Sequence, residues 1–548
     1  MGEFIPTDGV IAHQIPRLER IAGGHQLVVH DEPFLMLPAD LPKSSFSCPN
    51  FMKQDIEPEE GNFDFTRLEQ ALLDARVNGF HVALLWFGAL KNEKSTYAPR
   101  WVKTSPKRFP RMMTRTSNGG TKVEDVLSIL NPAVVNGDAA AFKTLMQDLR
   151  ESDQAHSTVL MVQVENEVSL LGDSRDAPPR ADAHFNAPVP AELIEMIQTK
   201  WSSLHESLKK NLSIFRQEFH LLKTGTHSWL QTFGHGRTTD EVARVGKAEY
   251  PLPMFINSVV GGGGGQPGNY PSGGGVINVL DIWHHFAPAL DFVAPDLYLN
   301  DYNAICANAY GTHGALGTAP FAIDSWDAAE IPWPRHFGLL KEVAPWLLAA
   351  RESNSDTFGS WFDEPSERVD TVNAHRIVMN FWNLTIERSF VFGEQGPGYG
   401  MIIHLSESKF LLVSEGFHVR FGCTRKDSSF VGILSEMVTG RVLNGDETRT
   451  GELAIMPAQK PDLGTFPICI AIPSRSRIAE VEVCCSEQSF SISPSLPSQR
   501  RFNVNSSPAT LTALKPGVVL KASEFMSGNT RDYHEVSNGM SRVQDHKS

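Results

Sequence analysis

The sequence has few cysteines, no long apolar run and no excess of basic residues. Its six cysteines are spread over 548 residues, and none of them has the Cys-x-x-Cys spacing of a zinc or redox site. No segment approaches the roughly 18 consecutive apolar residues that a membrane span requires. Acidic residues outnumber basic residues by 63 to 49, which gives a net charge of −14. We therefore expect neither a membrane nor a nucleic-acid partner, because nucleic acids are bound through clustered lysines and arginines.

The amino-terminal residues show no basic start followed by an apolar stretch, so we expect no secretory signal and a cytoplasmic location. Secretion stays open if the true N-terminus differs. Hydrophobic residues make up 41% of the chain and the mean hydropathy is −0.21. This balance is typical of a globular protein with a substantial core.

Apolar strand patterns alternate with helical patterns through the first part of the chain. Residues 80–87, 158–164 and 254–260 are almost continuously apolar, as strands are when helices cover both faces of a parallel sheet. We predict an α/β fold of the (β/α)8 TIM-barrel type over residues 1–355. A doubly wound sheet remains the alternative.

The pattern changes near residue 358, where short alternating strands separated by glycine-containing turns begin. This pattern predicts a sandwich-like antiparallel β domain over residues 356–486. Residues 487–548 are rich in serine and proline and then polar, so we expect little order there.

The most informative segment runs from Met161 to Glu167. A buried strand ends there in Glu165, Asn166 and Glu167. Strand ends open onto the active-site face of a parallel barrel, so polar residues at that position indicate chemistry. Two carboxylates two positions apart share a strand face, and their repulsion raises the pKa of one of them, which suits a general acid. The plain alternative is a pair of solvated glutamates in a loop.

The Gln163–Glu167 segment resembles the acid/base strand of glycoside hydrolase family 35 β-galactosidases. The similarity runs from about Ile15 to Glu487 and points to a fungal or bacterial branch with its own C-terminal β domain. Further stretches resemble the same branch: Trp86–Gly88 with Lys91-Asn92, Tyr97–Lys103, Leu170–Asp176, Gly246–Pro251, Ala294–Tyr298 and Leu443–Thr448.

The resemblance implies that Glu167 is the general acid/base and that Asn166 binds the sugar hydroxyl beside the reacting carbon. It implies a retaining enzyme that needs no cofactor or metal and acts on oligosaccharides or polysaccharides with terminal galactose. Five more residues are candidates for substrate binding: Glu165, Trp86, Asn92, Tyr298 and Asp324.

The family's nucleophile, a glutamate after a proline at the end of the seventh strand, is not identified in this sequence. Only residues 299–318 separate the sixth-strand motif from the predicted eighth strand. The second strand is also missing near residues 48–57, and a helix is missing between Asp240 and Gly246. Available carboxylates are Asp296, Asp301, Asp324 and Glu364. We therefore predict an incomplete barrel, from exons omitted in a gene model or from a decayed gene.

Two other motifs have plainer interpretations. Gly263–Gly268 fits the dinucleotide-binding pattern formally, but prolines follow it where a helix should begin, so a loop is the better interpretation. His284 and His285 are adjacent on a predicted helix and diverge by about 100°, so they do not suit a shared metal.

The sequence thus predicts a β-galactosidase-type glycosidase with Glu167 as acid/base. The alternative is a catalytically inactive homologue, or a mis-spliced gene model, that lacks the nucleophile and at most binds carbohydrate.

Overall fold

The computed structural model describes the chain in ranges. These ranges are 15–22, 24–39, 50–91, 94–116, 118–170, 173, 176, 188–212, 228–259, 270, 273–296, 333–362, 374–388, 398–415, 417–423, 430–431, 440–442, 454–457, 468–471, 477–482 and 485–486.

The described chain begins with a three-stranded antiparallel meander. Its strands are β1 (Arg17–Ile21), β2 (Gly24–Val29) and β3 (Glu32–Phe34), in the order β1-β2-β3. The turn between β2 and β3 places His30 and Asp31 at φ values of 52° and 66°. Positive φ at both central residues is what a tight hairpin of right-handed twist requires. The apolar segments 26–29 and 34–37 predict a hairpin with its turn at residues 30–33. The structure has a hairpin here, but its turn is tighter, its second strand lies at Glu32–Phe34, and β1 is an additional strand.

Five parallel strands form the central sheet. They are β4 (Asn50–Met52), β5 (Val82–Lys91), β8 (Val159–Asn166), β9 (Met254–Val259) and β10 (Phe292–Asp296). Between β5 and β8 the chain forms a separate antiparallel hairpin of β6 (Arg111–Arg115) and β7 (Thr121–Leu127). The order β4-β5-β8-β9-β10 follows the sequence without reversal. A doubly wound sheet reverses its order at a switch point, so this order favours the barrel-type arrangement. Strands β4 and β5, which lie before and after the place where the sequence predicts a missing second strand, pair directly.

The helices of the described chain range from four to 22 residues in length. They are α1 (Lys53–Ile56), α2 (Thr66–Val77), α3 (Arg100–Lys103), α4 (Pro132–Asp153), α5 (Ala191–Thr199), α6 (Glu206–Leu212), α7 (Ser228–Glu249), α8 (Leu280–Phe286) and α9 (Trp333–Ser353). The start of α4 has a clear cause: Asn131 Oδ1 accepts a hydrogen bond from the Ala133 amide, and Pro132 occupies the first helical position.

The two faces of the sheet are covered differently. Helices α4 and α7 cover one face, where Phe142 and Leu145 pack with Val162 and Val164 of β8. The opposite face carries Met161, which packs with Leu27 and Val29 of the meander. Alternation along β8 therefore places successive side chains in two separate apolar clusters.

Asp153, at the end of α4, fixes where β8 begins. Its carboxylate is fully buried and accepts hydrogen bonds from the amides of Thr158 (3.2 Å) and Val159 (2.8 Å). Arg76 of α2 supplies the counter-charge at 2.6 Å. A buried carboxylate is tolerated only with such partners, so this ion pair ties two helices to the first residues of the strand.

Two helix predictions were wrong. The sequence pattern predicts one long helix from about residue 191 to 221, but within the described part this segment forms two short helices, α5 and α6. The helix expected to be missing between Asp240 and Gly246 is present inside α7. Glycines lower helix propensity there, but Gly246 allows close approach, because a Cβ at that position would overlap the ring of Phe142 on α4.

The C-terminal region is antiparallel, as predicted. One sheet has the order β11-β14-β15-β21-β18 and the other the order β12-β13-β16-β20-β19, with a separate pair β17-β22. The strands are β11 (Thr357–Phe362), β12 (His375–Met379), β13 (Trp382–Arg388), β14 (Gly398–Ser406), β15 (Lys409–Glu415), β16 (Phe417–Cys423), β17 (Phe430–Val431), β18 (Gly440–Val442), β19 (Ala454–Pro457), β20 (Ile468–Ala471), β21 (Arg477–Glu482) and β22 (Cys485–Ser486).

Aromatic rings join the two C-terminal sheets. Phe410 of the first sheet lies 5.8 Å from Trp382 and 5.0 Å from Phe421 of the second sheet, measured between ring centroids. All three side chains are fully buried. Edge-to-face contacts of this kind are a favourable way to fill a core between sheets.

The α4–α7 contact gives a test of the fold. We expect Gly246→Ala to lower the free energy of unfolding by about 1–3 kcal/mol, because the added methyl group overlaps Phe142 in a closely packed interior. The matched control is Gly338→Ala on α9, where a Cβ meets no atom within 4 Å. That change should be neutral or stabilise by up to about 1 kcal/mol through helix propensity. Chemical denaturation measures both, and equal effects would contradict the close packing of α4 and α7.

Candidate functional site

The carboxyl end of β8 carries the segment that the sequence singled out. All eight residues of β8 are buried. The chain then turns sharply, since Glu165 and Glu167 have φ values of 65° and 49°. Non-glycine residues in this left-handed region are uncommon and cost of order 1–3 kcal/mol each. Strain of this kind persists only where surrounding contacts impose it, which marks the segment as a candidate site.

A polar network connects the ends of three neighbouring strands. Asn166 Oδ1 accepts hydrogen bonds from Gln163 Nε2 and from Asn257 Nδ2, both at 3.1 Å. Asn257, on β9, also donates from Nδ2 to Asp296 Oδ2 on β10 at 2.7 Å. Parallel strands bring their carboxyl ends to the same edge of a sheet, so the structure places these four side chains together at that edge.

Glu167 lies beside this network. Its backbone amide donates to Asn257 Oδ1 at 2.9 Å, and the residue is only 7% exposed. Val168 and Leu170, which follow it, are buried in an apolar cluster, and Ser169 Oγ accepts from the Gly273 amide at 3.0 Å. Glu167 therefore stands at the edge of the sheet and not on an outer surface.

Glu165 points to the other neighbouring strand. Its two carboxylate oxygens accept hydrogen bonds from the amides of Ala89 (2.9 Å) and Leu90 (2.7 Å) at the end of β5. Its side chain also meets Asp138 of α4. Glu165 is 3% exposed, so its described contacts are those of a residue that joins two strands and a helix.

Burial raises the pKa of Glu165 well above its ordinary value, and the neighbouring Asp138 carboxylate raises it further. The two amide hydrogen bonds act in the opposite direction. The sequence correctly indicated that a carboxylate here has a raised pKa. The described partner is Asp138, which is distant in sequence, and the left-handed conformation of Glu165 ends the alternation that was expected to set it beside Glu167.

Trp86 contributes to the same buried cluster. Its indole Nε1 donates to Asp138 Oδ1 at 3.1 Å, and its ring is fully buried, 5.6 Å from that of Phe142. The structure thus brings Trp86 to the helix-facing side of β5. Its predicted contact with a sugar ring stays a prediction, and this degree of burial does not favour it.

Lys53 is a buried cation that the sequence analysis missed. Its Nζ donates to the carbonyl of Gly137 and lies 3.9 Å from Glu57 Oε2. Burial lowers the pKa of Lys53, while the charges of Asp138, Glu57 and Glu165 oppose that shift. A lysine directly after a short apolar segment was the available signal, but lysine is so often a surface residue that the signal is weak.

Several predicted residues lie outside the described residues: Asn92, Tyr298, Asp324, Asp301, Glu364 and the glycine-rich run at 263–268. His284 and His285 lie on α8, as predicted. Among the described residues, no three histidine, cysteine, aspartate or glutamate side chains form a group that suits a metal ion. None of the described helices is both long and apolar enough to cross a membrane.

Two family models match the chain. Residues 44–213 match the glycoside hydrolase family 42 model, described as "Beta-galactosidase", and this range contains Glu165, Asn166 and Glu167. Residues 334–455 match a model described as "Domain of unknown function (DUF5597)", which covers α9 and most of the antiparallel region. Residues 44–213 are therefore similar to a glycoside hydrolase domain of the β-galactosidase type. No curated protein sequence matches it.

Solved glycosidase structures are also similar. A β-galactosidase from Bacillus circulans sp. alkalophilus is 14% identical, with a TM-score of 0.31, over 49% of this chain and 38% of that one. Endo-glycoceramidase II from Rhodococcus sp. is 9% identical, with a TM-score of 0.26, over 80% of this chain and 88% of that one. The chain thus spans well under half of the Bacillus β-galactosidase. The classification rests on the family model, since TM-scores this low do not establish a shared fold.

The raised pKa of Glu165 predicts a pH dependence of stability. The folded protein holds a proton at Glu165 more tightly than the unfolded chain, whose pKa is near the ordinary value of 4.5. This contribution to stability is complete below that value and is lost as the pH rises toward the raised pKa.

Glu165→Gln removes the titration and keeps a donor toward Asp138. It loses one of the two hydrogen bonds from the amides of Ala89 and Leu90, a loss that does not depend on pH, so the comparison uses the change of stability with pH. The parent should lose this contribution as the pH rises, and the variant should not. We therefore expect the difference in free energy of unfolding, variant minus parent, to increase by at least about 1 kcal/mol from about pH 5 to pH 8. Urea denaturation across this range measures the difference. The control is Glu195→Gln, since Glu195 is exposed on α5. Parallel pH profiles for the parent and the Glu165 variant would contradict the assignment.

Proposed function

We propose that the protein is a retaining glycosidase that hydrolyses terminal β-galactosides, with Glu167 as general acid/base. The observation that carries the proposal is the position of Glu167: it lies within the range matched by the β-galactosidase model and at the carboxyl edge of a parallel sheet, beside Asn166. This edge is where barrel enzymes hold their catalytic groups. On the motifs named in the sequence analysis, we further propose that the chain belongs to glycoside hydrolase family 35.

The proposed reaction proceeds in two steps. In the first, a second carboxylate attacks the anomeric carbon, the bond from that carbon to the leaving oxygen breaks, and Glu167 gives its proton to that oxygen. In the second, water attacks the glycosyl-enzyme ester and Glu167 takes a proton from the water, which restores both carboxyl groups. Asn166 binds the hydroxyl next to the reacting carbon. None of the described carboxylates is assigned as the nucleophile.

The substrate class follows from the same proposal. We expect oligosaccharides or polysaccharides that end in β-linked galactose, and no cofactor in the reaction. The chain's acidic balance, −14 overall, suits a neutral sugar better than a polyanionic one, because an anionic ligand is repelled by a surface of the same sign.

The test compares the parent protein with Glu167→Gln on two galactosides, one with an activated aryl leaving group and one with an alkyl leaving group. We expect kcat on the alkyl galactoside to fall about 10²–10⁴-fold, because protonation of the leaving oxygen is lost. The loss on the activated substrate should be smaller. The exposed Glu195→Gln on α5 should retain parental rates.

Two further measurements test the mechanism. Azide should restore turnover of an activated galactoside by Glu167→Gly and give the β-galactosyl azide, because a small anion replaces the water that Glu167 would activate. Nuclear magnetic resonance of the first-formed galactose should show the β anomer. Formation of the α anomer would refute retention.

The alternative function is tested by the parent protein. If the parent binds galactose but does not hydrolyse either galactoside, the proposed enzyme is refuted in favour of an inactive sugar-binding homologue.

A further inference from the structure

Asn257, in the middle of β9, connects the three strand ends of the site. Its Oδ1 accepts from the Glu167 amide at 2.9 Å, and its Nδ2 donates to Asn166 Oδ1 at 3.1 Å and to Asp296 Oδ2 at 2.7 Å. The residue is 8% exposed. No motif in the sequence points to it, since it stands in the ordinary apolar strand Met254–Val259.

The orientation of the Asn257 amide group has a single solution. A backbone N–H offers only a donor and a carboxylate offers only acceptors. A flipped amide would set Nδ2 against the Glu167 N–H and Oδ1 against Asp296, so it would lose both hydrogen bonds. Asp296 therefore determines which end of Asn257 faces Glu167, and a bond to a charged acceptor is the stronger kind.

This orientation bears directly on the strained turn. Glu167 has a φ of 49°. Because Val168 and Leu170 after it are buried, relaxation of this angle to an ordinary value would rotate the preceding peptide unit and turn the Glu167 N–H away from its present direction. The hydrogen bond to Asn257 Oδ1 opposes that rotation. The same residue holds Asn166 Oδ1, so one side chain fixes both residues that the proposed function uses.

We propose that Asn257 is a positioning residue for the general acid/base: through Oδ1 it holds Glu167 in its left-handed conformation, through Nδ2 it orients Asn166, and Asp296 orients Asn257. This inference rests on the proposed function, in which Glu167 and Asn166 act on the galactoside. Asn257 itself need not touch the sugar. Misplacement of a catalytic group by about 1 Å can reduce the rate about 10²-fold.

The first experiment uses Asn257→Ala in the full chain, with Ser258→Ala as the matched control. Ser258 is the next residue of β9 and is also buried, and strand alternation directs its side chain to the other face. We expect Asn257→Ala to lower kcat on the alkyl galactoside about 10–100-fold, with a smaller loss on the activated galactoside and little change in KM. Ser258→Ala should leave the difference between the two substrates unchanged.

A merely structural role gives a different result. Loss of folded protein would lower turnover of both galactosides by the same factor, and normalising to the folded fraction would remove it. Equal losses on the two substrates, or a loss no larger than that of Ser258→Ala, would therefore overturn the positioning role.

A charge exchange tests the part played by Asp296. Asn257→Asp sets two carboxylates against each other across the 2.7 Å contact and should lower kcat at least as much as Asn257→Ala. Adding Asp296→Asn restores a donor and an acceptor between positions 257 and 296. We expect the double variant to recover part of the lost rate, about 3-fold or more relative to Asn257→Asp. Absence of any recovery would contradict the orienting role of Asp296.

A readout without activity separates the two proposals. Crystal structures of the parent and of Asn257→Ala should show Glu167 leaving the left-handed region in the variant. If the parent has no turnover but Glu167 moves as expected, the proposed function fails and the conformational control by Asn257 stands. If the parent is active and Glu167 keeps its conformation in the variant, the positioning role fails and the proposed function stands.

Discussion

The two left-handed residues on either side of Asn166 are the constraint on which the site depends. A strand that ends normally would carry Glu165 and Glu167 past the sheet edge on one face. Here the backbone takes left-handed conformations at Glu165 and Glu167 and is held on both sides. The amides of Ala89 and Leu90 on β5 bind Glu165, and Asn257 on β9 binds the Glu167 amide. Each neighbouring strand thus fixes one of the two residues whose backbone is strained.

The helix layer supports this turn through buried charge. Asp138 of α4 meets Glu165, accepts from the Trp86 indole and approaches Gly88 so closely that a Cβ there would overlap its carboxylate. Lys53 of α1 places a positive charge near the two acids. Buried charges are costly unless they are paired and hydrogen-bonded, so the cluster constrains how α1, α4 and β5 meet. This buried charge cluster bears on function only indirectly, because it holds Glu165 and so helps to fix the conformation of the carboxyl end of β8.

Sequence patterns predicted the elements that rest on local chemistry. The continuous apolar run predicted β8, and the short alternating strands after residue 358 predicted the antiparallel region. Residues defined by contacts across the sheet were not predictable in this way. Asn257 stands in an ordinary strand, and its meaning comes from Glu167 and Asp296, which lie 90 and 39 positions away in the chain. The helix expected to be missing between Asp240 and Gly246 was inferred from the family resemblance, and it is present in α7, where Gly246 weakens the helix locally but permits its packing on α4.

The raised pKa of Glu165 was predicted from repulsion by Glu167, but the described acidic partner is Asp138. Spacing of two predicts a shared face and mutual repulsion, which raises one pKa. Glu165 does have a raised pKa, but the causes are burial and Asp138, which lies 27 positions earlier on α4. The turn instead gives the two carboxylates different surroundings: Glu165 is enclosed between β5 and α4, whereas Glu167 stands next to the amide network of Asn166 and Asn257. A division of this kind separates a residue that joins β8 to β5 and α4 from the residue for which we propose proton transfer, and it explains why two acids so close in sequence need not share a role.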